Sequence, residues 1–149
     1  MKIGLICPAS LPATQFGGIL FLAVDIANEL GKNGHDTTIF TTNLDFANNP
    51  YTFNKKLPKQ EKIDNFQINR SNVWFHHKLF YINPKMYFEI KKSKPDIIHT
   101  IGVRSFQSLI ASLISKYQKI PLIISDQGGL TTHPELKQGG IINKILYVI

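Results

Sequence analysis

The side chains able to do chemistry gather in one stretch, Lys94 to Gly129, which reads KPDIIHTIGVRSFQSLIASLISKYQKIPLIISDQGG. His99, Thr100 and Arg104 close one apolar run, and Ser125, Asp126 and Gln127 close a second. An imidazole at a strand terminus can bind hydroxyls or transfer protons. A guanidinium can pair with phosphate, and an amide such as Gln127 can hydrogen-bond a hydroxyl but cannot titrate. Gly128 and Gly129 leave the backbone of the second turn free to approach a ligand. A further pair, Gly17-Gly18, precedes a helical pattern, where backbone N–H groups and the helix dipole attract phosphate.

Several familiar chemistries lack their pattern. Gly17-Gly18 is neither G-x-G-x-x-G nor the Gly-Lys-Ser/Thr of a P-loop. A Ser–His–Asp hydrolase has the residue types, His133 included, but no G-x-S-x-G elbow. No metal site is expected, because His76-His77 are adjacent and there is no cysteine cluster. Each candidate also has a purely structural reading. Gly17-Gly18 makes a tight turn, His99 is a hydrogen-bonded sheet-edge histidine, Arg104 is a solvated helix start, and Ser125 to Pro134 is a polar loop.

The elements that must position these groups follow from periodicity. Lys2 to Cys7 is a short apolar run of the kind buried on both faces of a sheet, with Cys7 a small core residue. A Pro, Gly, Ser and Thr turn follows to Gly18. Ile19, Leu22, Ala23, Ile26, Ala27 and Leu30 then mark the apolar stripe of a helix that stops near Gly34. Asp36 to Thr42 is β-branched and completes a βαβ unit. Leu44 to Lys62 reads as a long loop, Ile63 to Arg70 as a third strand, and Val73 to Ile82 as a strand or turn. Pro84 to Ser93 starts with proline and reads as a helix. Asp96 to Thr100 is a strand, and Phe106 to Tyr117 a helix by its i, i+3, i+4 spacing. Leu122 to Ser125 is a strand, and Ile141 to Ile149 a final helix. The expected fold class is α/β, a single domain with a Rossmann-like parallel sheet, helices on both faces and strand order 3-2-1-4-5. Ligands of such sheets sit outside the carboxyl ends of the strands, where the candidate residues fall.

Length and composition set bounds. A chain of 149 residues with 43% apolar and 18% charged residues suffices for one buried core. The single cysteine excludes an intramolecular disulfide, and the first apolar run is too short for a secretory signal. A cytoplasmic location is expected. The net charge of +7 belongs to the middle: residues 51–94 hold ten basic against three acidic groups. Lysine outnumbers arginine 15 to 2, which argues against sequence-specific nucleic-acid reading. In the middle segment Trp74, Phe75, Phe80, Tyr81, Tyr87 and Phe88 interleave with lysines. That composition suits peripheral contact with an anionic membrane through residues 55–94, or else a core with a solvated basic face.

Read in order, KIGLICPAS…FGGI, NGHDTTIFTT, KPDIIHTIG and IPLIISDQGG resemble the N-terminal domain of family 4 glycosyltransferases, retaining enzymes of the GT-B fold. The resemblance covers nearly the whole chain. It implies one half of a two-domain enzyme, with residues 1–149 on the acceptor side and a donor-binding domain beyond them. It implies a nucleoside-diphosphate sugar as donor substrate, a glycan or lipid-linked acceptor, and no cofactor in this domain. It places Gly17 and Gly18 against the donor diphosphate, His99 and Gly102 in the cleft, and Arg104, Asp126 and Gly128 among the substrate-binding groups. Gln127 stands where the family often has a histidine near the reacting sugar, and Ile101 where a second histidine is common. The chain's apolar end, KILYVI, with no cap after it, fits a fragment. The alternative is a non-catalytic Rossmann-like nucleotide-binding module, against which Thr41-Thr42-Asn43 lacks the ribose-binding acid of NAD folds.

Overall fold

The computed structural model describes residues 1–127. Gly128, His133 and the helix expected over Ile141 to Ile149 lie outside them. The β-branched and apolar runs form β1 (Lys2–Ile6), β2 (Asp36–Thr42), β3 (Gln60–Ile63), β4 (Phe66–Ser71), β5 (Phe75–His77), β6 (Phe80–Ile82), β7 (Ile97–Ile101) and β8 (Leu122–Ser125). The helices are α1 (Gly18–Lys32), α2 (Lys85–Ser93) and α3 (Phe106–Gln118).

Six strands form one sheet in the order β3-β4-β2-β1-β7-β8, and β5-β6 form a separate hairpin. Five of the six are parallel, and counted along the chain they run 3-2-1-4-5. The sheet is nevertheless mixed, because β3 pairs antiparallel with β4. The expected strand over Ile63 to Arg70 therefore covers the last residue of one strand and all but the last of the next. Asp64, at φ 46, turns the chain between them. The polar run to Lys62 hid β3 because an edge strand needs little apolar character: its burial alternates only between exposed and half-buried.

The core splits by face. Ile3, Leu5, Cys7, Ile39, Phe66, Ile68 and Ile101 pack with Ala23 and Ala27 of α1. On the other face Ile6, Phe40 and Ile98 pack with Met86 and Ile90 of α2 and with Ile110, Ala111 and Ile114 of α3. Helices thus cover both faces, as the alternating pattern requires. A third cluster, Ala9, Ala13, Leu20, Leu44 and Tyr81, joins the loop after β1 to α1 and the hairpin. Helix α1 approaches the β3–β4 turn so closely that a Cβ at Gly31 would lie 2.0 Å from the Asn65 carbonyl oxygen. Glycine there costs about 1 kcal/mol of helix propensity but permits the packing.

Candidate functional site

Three chain crossings converge beyond the carboxyl ends of β1, β7 and β8. The loop after β1 carries a cis peptide at Leu11-Pro12, makes one 3₁₀ turn over Thr14–Phe16 and enters α1 through Gly17. Gly17 sits at φ 101, a region that strains any side chain, and its carbonyl accepts the first helical bond from Leu20 N at 3.1 Å. Gly18 is different. Its φ is ordinary, and an added Cβ would meet no atom within 4 Å. The turn therefore requires glycine at 17 for its own conformation, while the protein alone leaves room for a side chain at 18.

The turn after β7 is held from three directions. Gly102, at φ 94, donates its N–H to the Ser125 carbonyl at 3.0 Å. Its own carbonyl accepts from Ser108 Oγ at 2.6 Å, and Ser108 Oγ lies 2.8 Å from Thr100 Oγ1. Ser105 caps α3, its hydroxyl accepting from Ser108 N at 3.1 Å. This turn is a braced piece of backbone rather than a slack loop.

Between these turns lies a cavity of about 160 Å³, bordered by Pro8, Ile19, Gly102, Arg104, Ser105, Asp126 and Gln127. Of the residues expected from sequence, the fold brings Gly102, Arg104, Asp126 and Gln127 together, with Gly17-Gly18 immediately before Ile19 of the lining. Arg104, Asp126 and Gln127 are exposed. The N-termini of α1 and α3 both open at this edge, a favourable field for an anion.

His99 is placed otherwise than at a strand terminus. It lies in the middle of β7, in the lateral row Ile68-Ile39-Leu5-His99-Ile123 on the α1 side of the sheet, and it does not border the cavity. Its Nε2 is 2.7 Å from Ser125 Oγ. Burial among apolar neighbours lowers its pKa from the ordinary 6.5. At neutral pH the ring is therefore an uncharged hydrogen-bonding group behind the cavity wall. Cys7 is buried, and burial pushes its thiol pKa up to about 12, so it is a core residue and no nucleophile.

A larger concavity, about 700 Å³, lies away from the strand ends, between α2 and the polar face of β2 and β4. Thr38, Gln67 and Asn69 floor it, and Lys59, Lys85 and Lys92 stand around it. Phe40, Ile68 and Phe88 line it as well, and it lies away from the carboxyl ends of the strands, where ligands of such sheets sit, so size does not make it the better site. Among the described residues no three His, Cys, Asp or Glu side chains cluster so as to hold a metal ion.

Sequence reasoning passed over Arg70. This arginine is buried, and its Nη2 donates to the Leu11 carbonyl at 2.8 Å and pairs with Glu61 at 2.6 Å. Its Nη1 donates to the Pro58 carbonyl at 3.0 Å. Arg70 thus ties the loop that leads to Gly17 onto the β3–β4 edge. Nothing local in sequence marks it, because its partners lie 9, 12 and 59 residues away. The Ser105 cap, also passed over, does carry a local signal, a serine just before an apolar helical run.

No family model matches the chain, and no curated protein sequence matches it significantly.

Proposed function

We propose that this chain is the acceptor-side domain of a retaining glycosyltransferase that uses a nucleoside-diphosphate sugar. The observation that carries the reading is the convergence of Gly102, Arg104, Asp126 and Gln127 on one cavity beside the Gly17-Gly18 helix start. The 3-2-1-4-5 order of the parallel strands supports a Rossmann-like half of a GT-B enzyme.

On this reading the α1 N-terminus and Arg104 stabilise charge that develops on the leaving diphosphate. The bond from the anomeric carbon to the diphosphate oxygen breaks, the acceptor hydroxyl oxygen bonds from the same face, and its proton passes to the departing diphosphate oxygen. Gln127 orients a sugar hydroxyl and carries no proton. His99 braces the second turn through Ser125 and acts as a positioning residue. The donor base is read by a second domain outside these residues.

The nucleotide-binding module gains no comparable support. Asn43, which follows β2, is buried, and its Oδ1 accepts from Val73 N at 2.9 Å, so it is committed to the fold. Asp45 Oδ1 accepts from Ala47 N.

Release of nucleoside diphosphate by the full-length gene product tests the reading. Gly18→Leu leaves the fold intact and lowers turnover about 100-fold, because the side chain occupies the path of the diphosphate. Turnover unchanged by that substitution removes the diphosphate role. Nucleotide binding without turnover of any nucleoside-diphosphate sugar replaces the reading with the binding module.

A further inference from the structure

The loop between β2 and β3 and the β5–β6 hairpin, far apart in predicted character, form one surface. Leu44 and Phe53 make a β-bridge within the loop. Tyr51 of the loop stacks on His76 of the hairpin, rings 4.7 Å apart and 12° from parallel. Tyr81 is fully buried, meets Phe53 edge-on, and donates its hydroxyl to the Pro50 carbonyl at 2.9 Å. The inner side of the hairpin is thus fixed to the body of the protein.

Its other face is covered at Phe80, which meets Phe106 of α3, but the rest of the hairpin leaves large apolar side chains in water. Trp74 is 74% exposed, Phe75 61%, Leu79 57% and the neighbouring Tyr51 44%. Large apolar side chains concentrated along one short, anchored hairpin and left in water mark an interaction element rather than ordinary scatter. Lys55, Lys56 and Lys78 share these two segments with one acid, Asp45, whose carboxylate accepts from the Ala47 N–H.

We infer that this surface docks on the interfacial layer of an anionic bilayer. Tryptophan seats at the headgroup level, where an amphipathic ring is best solvated, phenylalanine and leucine bury their apolar surface just below it, and lysines meet the negative surface potential. Electrostatics disfavours a second copy as the occupant, because an isologous contact would set lysines against lysines. The contact is peripheral: among the described residues no helix is long and apolar enough to cross a bilayer. Phe80 of the hairpin packs edge-on against Phe106, next to the cavity residue Ser105, so the hairpin is joined to the helix start that borders the cavity. The inference rests on exposure and charge, and it stands independently of the transferase reading.

Trp74 is the sole tryptophan of the chain and reports directly. Its emission shifts to the blue on addition of phosphatidylcholine vesicles containing phosphatidylglycerol, and the shift weakens with salt. Pure phosphatidylcholine vesicles give a much smaller shift. Substituting both Phe75→Ala and Leu79→Ala, exposed positions that do not threaten the fold, lowers vesicle partitioning more than tenfold. Lys55→Ala and Lys56→Ala each lower it about fivefold. Emission unmoved by anionic vesicles overturns the inference. So does a shift that grows with protein concentration in the absence of lipid, which assigns the surface to a second copy.

Discussion

The two arginines of this chain stand at opposite ends of the same sheet edge and do opposite things. At the β4 end, Arg70 is buried and its donors are spent on Glu61 and two carbonyls. Two buried amides also donate within the protein: Gln107 to the Tyr81 carbonyl and to Asn83, and Asn83 to Ser71. At the β7–β8 end, Arg104, Asp126 and Gln127 are exposed around a cavity. At one end the guanidinium is buried and ties loops together; at the other the polar groups are exposed. The difference teaches that residue type does not assign a role. What surrounds the guanidinium does.

Breaking the committed end has the largest expected effect. Arg70→Ala removes the guanidinium from three acceptors and leaves the Leu11 and Pro58 carbonyls underpaired. It costs about 3 kcal/mol in urea unfolding, whereas Arg104→Ala changes stability by less than about 0.5 kcal/mol. Equal costs would erase the contrast between the two ends.

Glycine substitutions sharpen it at intermediate size. Gly31→Ala drives a Cβ into the Asn65 backbone and costs about 2 kcal/mol. Gly17→Ala costs about 1 kcal/mol, since φ 101 strains an L residue. Gly18→Ala costs nothing measurable, having open space and ordinary φ. Thermal unfolding of the three variants ranks them.

The smallest effect is a pH dependence from His99. Its folded pKa lies below the unfolded 6.5, so the unfolded state binds the extra proton first. Stability from this group is full above pH 6.5 and is lost as pH falls from there through the folded pKa. Urea midpoints followed from pH 8 down to 5 show the decline, and His99→Gln flattens that part of the curve. Glu89 acts in the opposite sense, because burial raises its pKa from 4.5. Its contribution is present at low pH and lost as pH rises through the folded value, so a decline toward acid that survives His99→Gln contradicts the assignment.

Much of the fold was legible. β2 and β8 fall on the residues their β-branched runs indicated, and Gly34 sits at φ 82 just past the end of α1. The parallel order followed from right-handed crossovers. The site was legible as an edge but not in detail. Gly102, Arg104, Asp126 and Gln127 meet because strand ends of a parallel sheet share one side. His99 was read as terminal, but β7 runs two residues further, to Ile101, and the imidazole turns to the α1 face with Leu5. Within the middle segment the helix over Pro84 to Ser93 was legible, but Val73 to Ile82 only as a strand or turn. Its aromatics divide between core and solvent, Tyr81 buried and Trp74 exposed, and no period in so short a hairpin separates them.

Local pattern decided the central strands and the helices, because burying one face of each element imposes a period of two or 3.6 on its residues, but not the edge strand β3 or the short hairpin. It also decided that polar groups cluster where strands end. Tertiary structure alone decided which polar groups are spent on the fold and which remain at a surface. That choice depends on partners distant in sequence: Leu11 for Arg70, Pro50 for Tyr81, Ser125 for His99. A buried donor must find an acceptor wherever the packed chain supplies one, and the neighbouring residues in sequence carry no record of where that is.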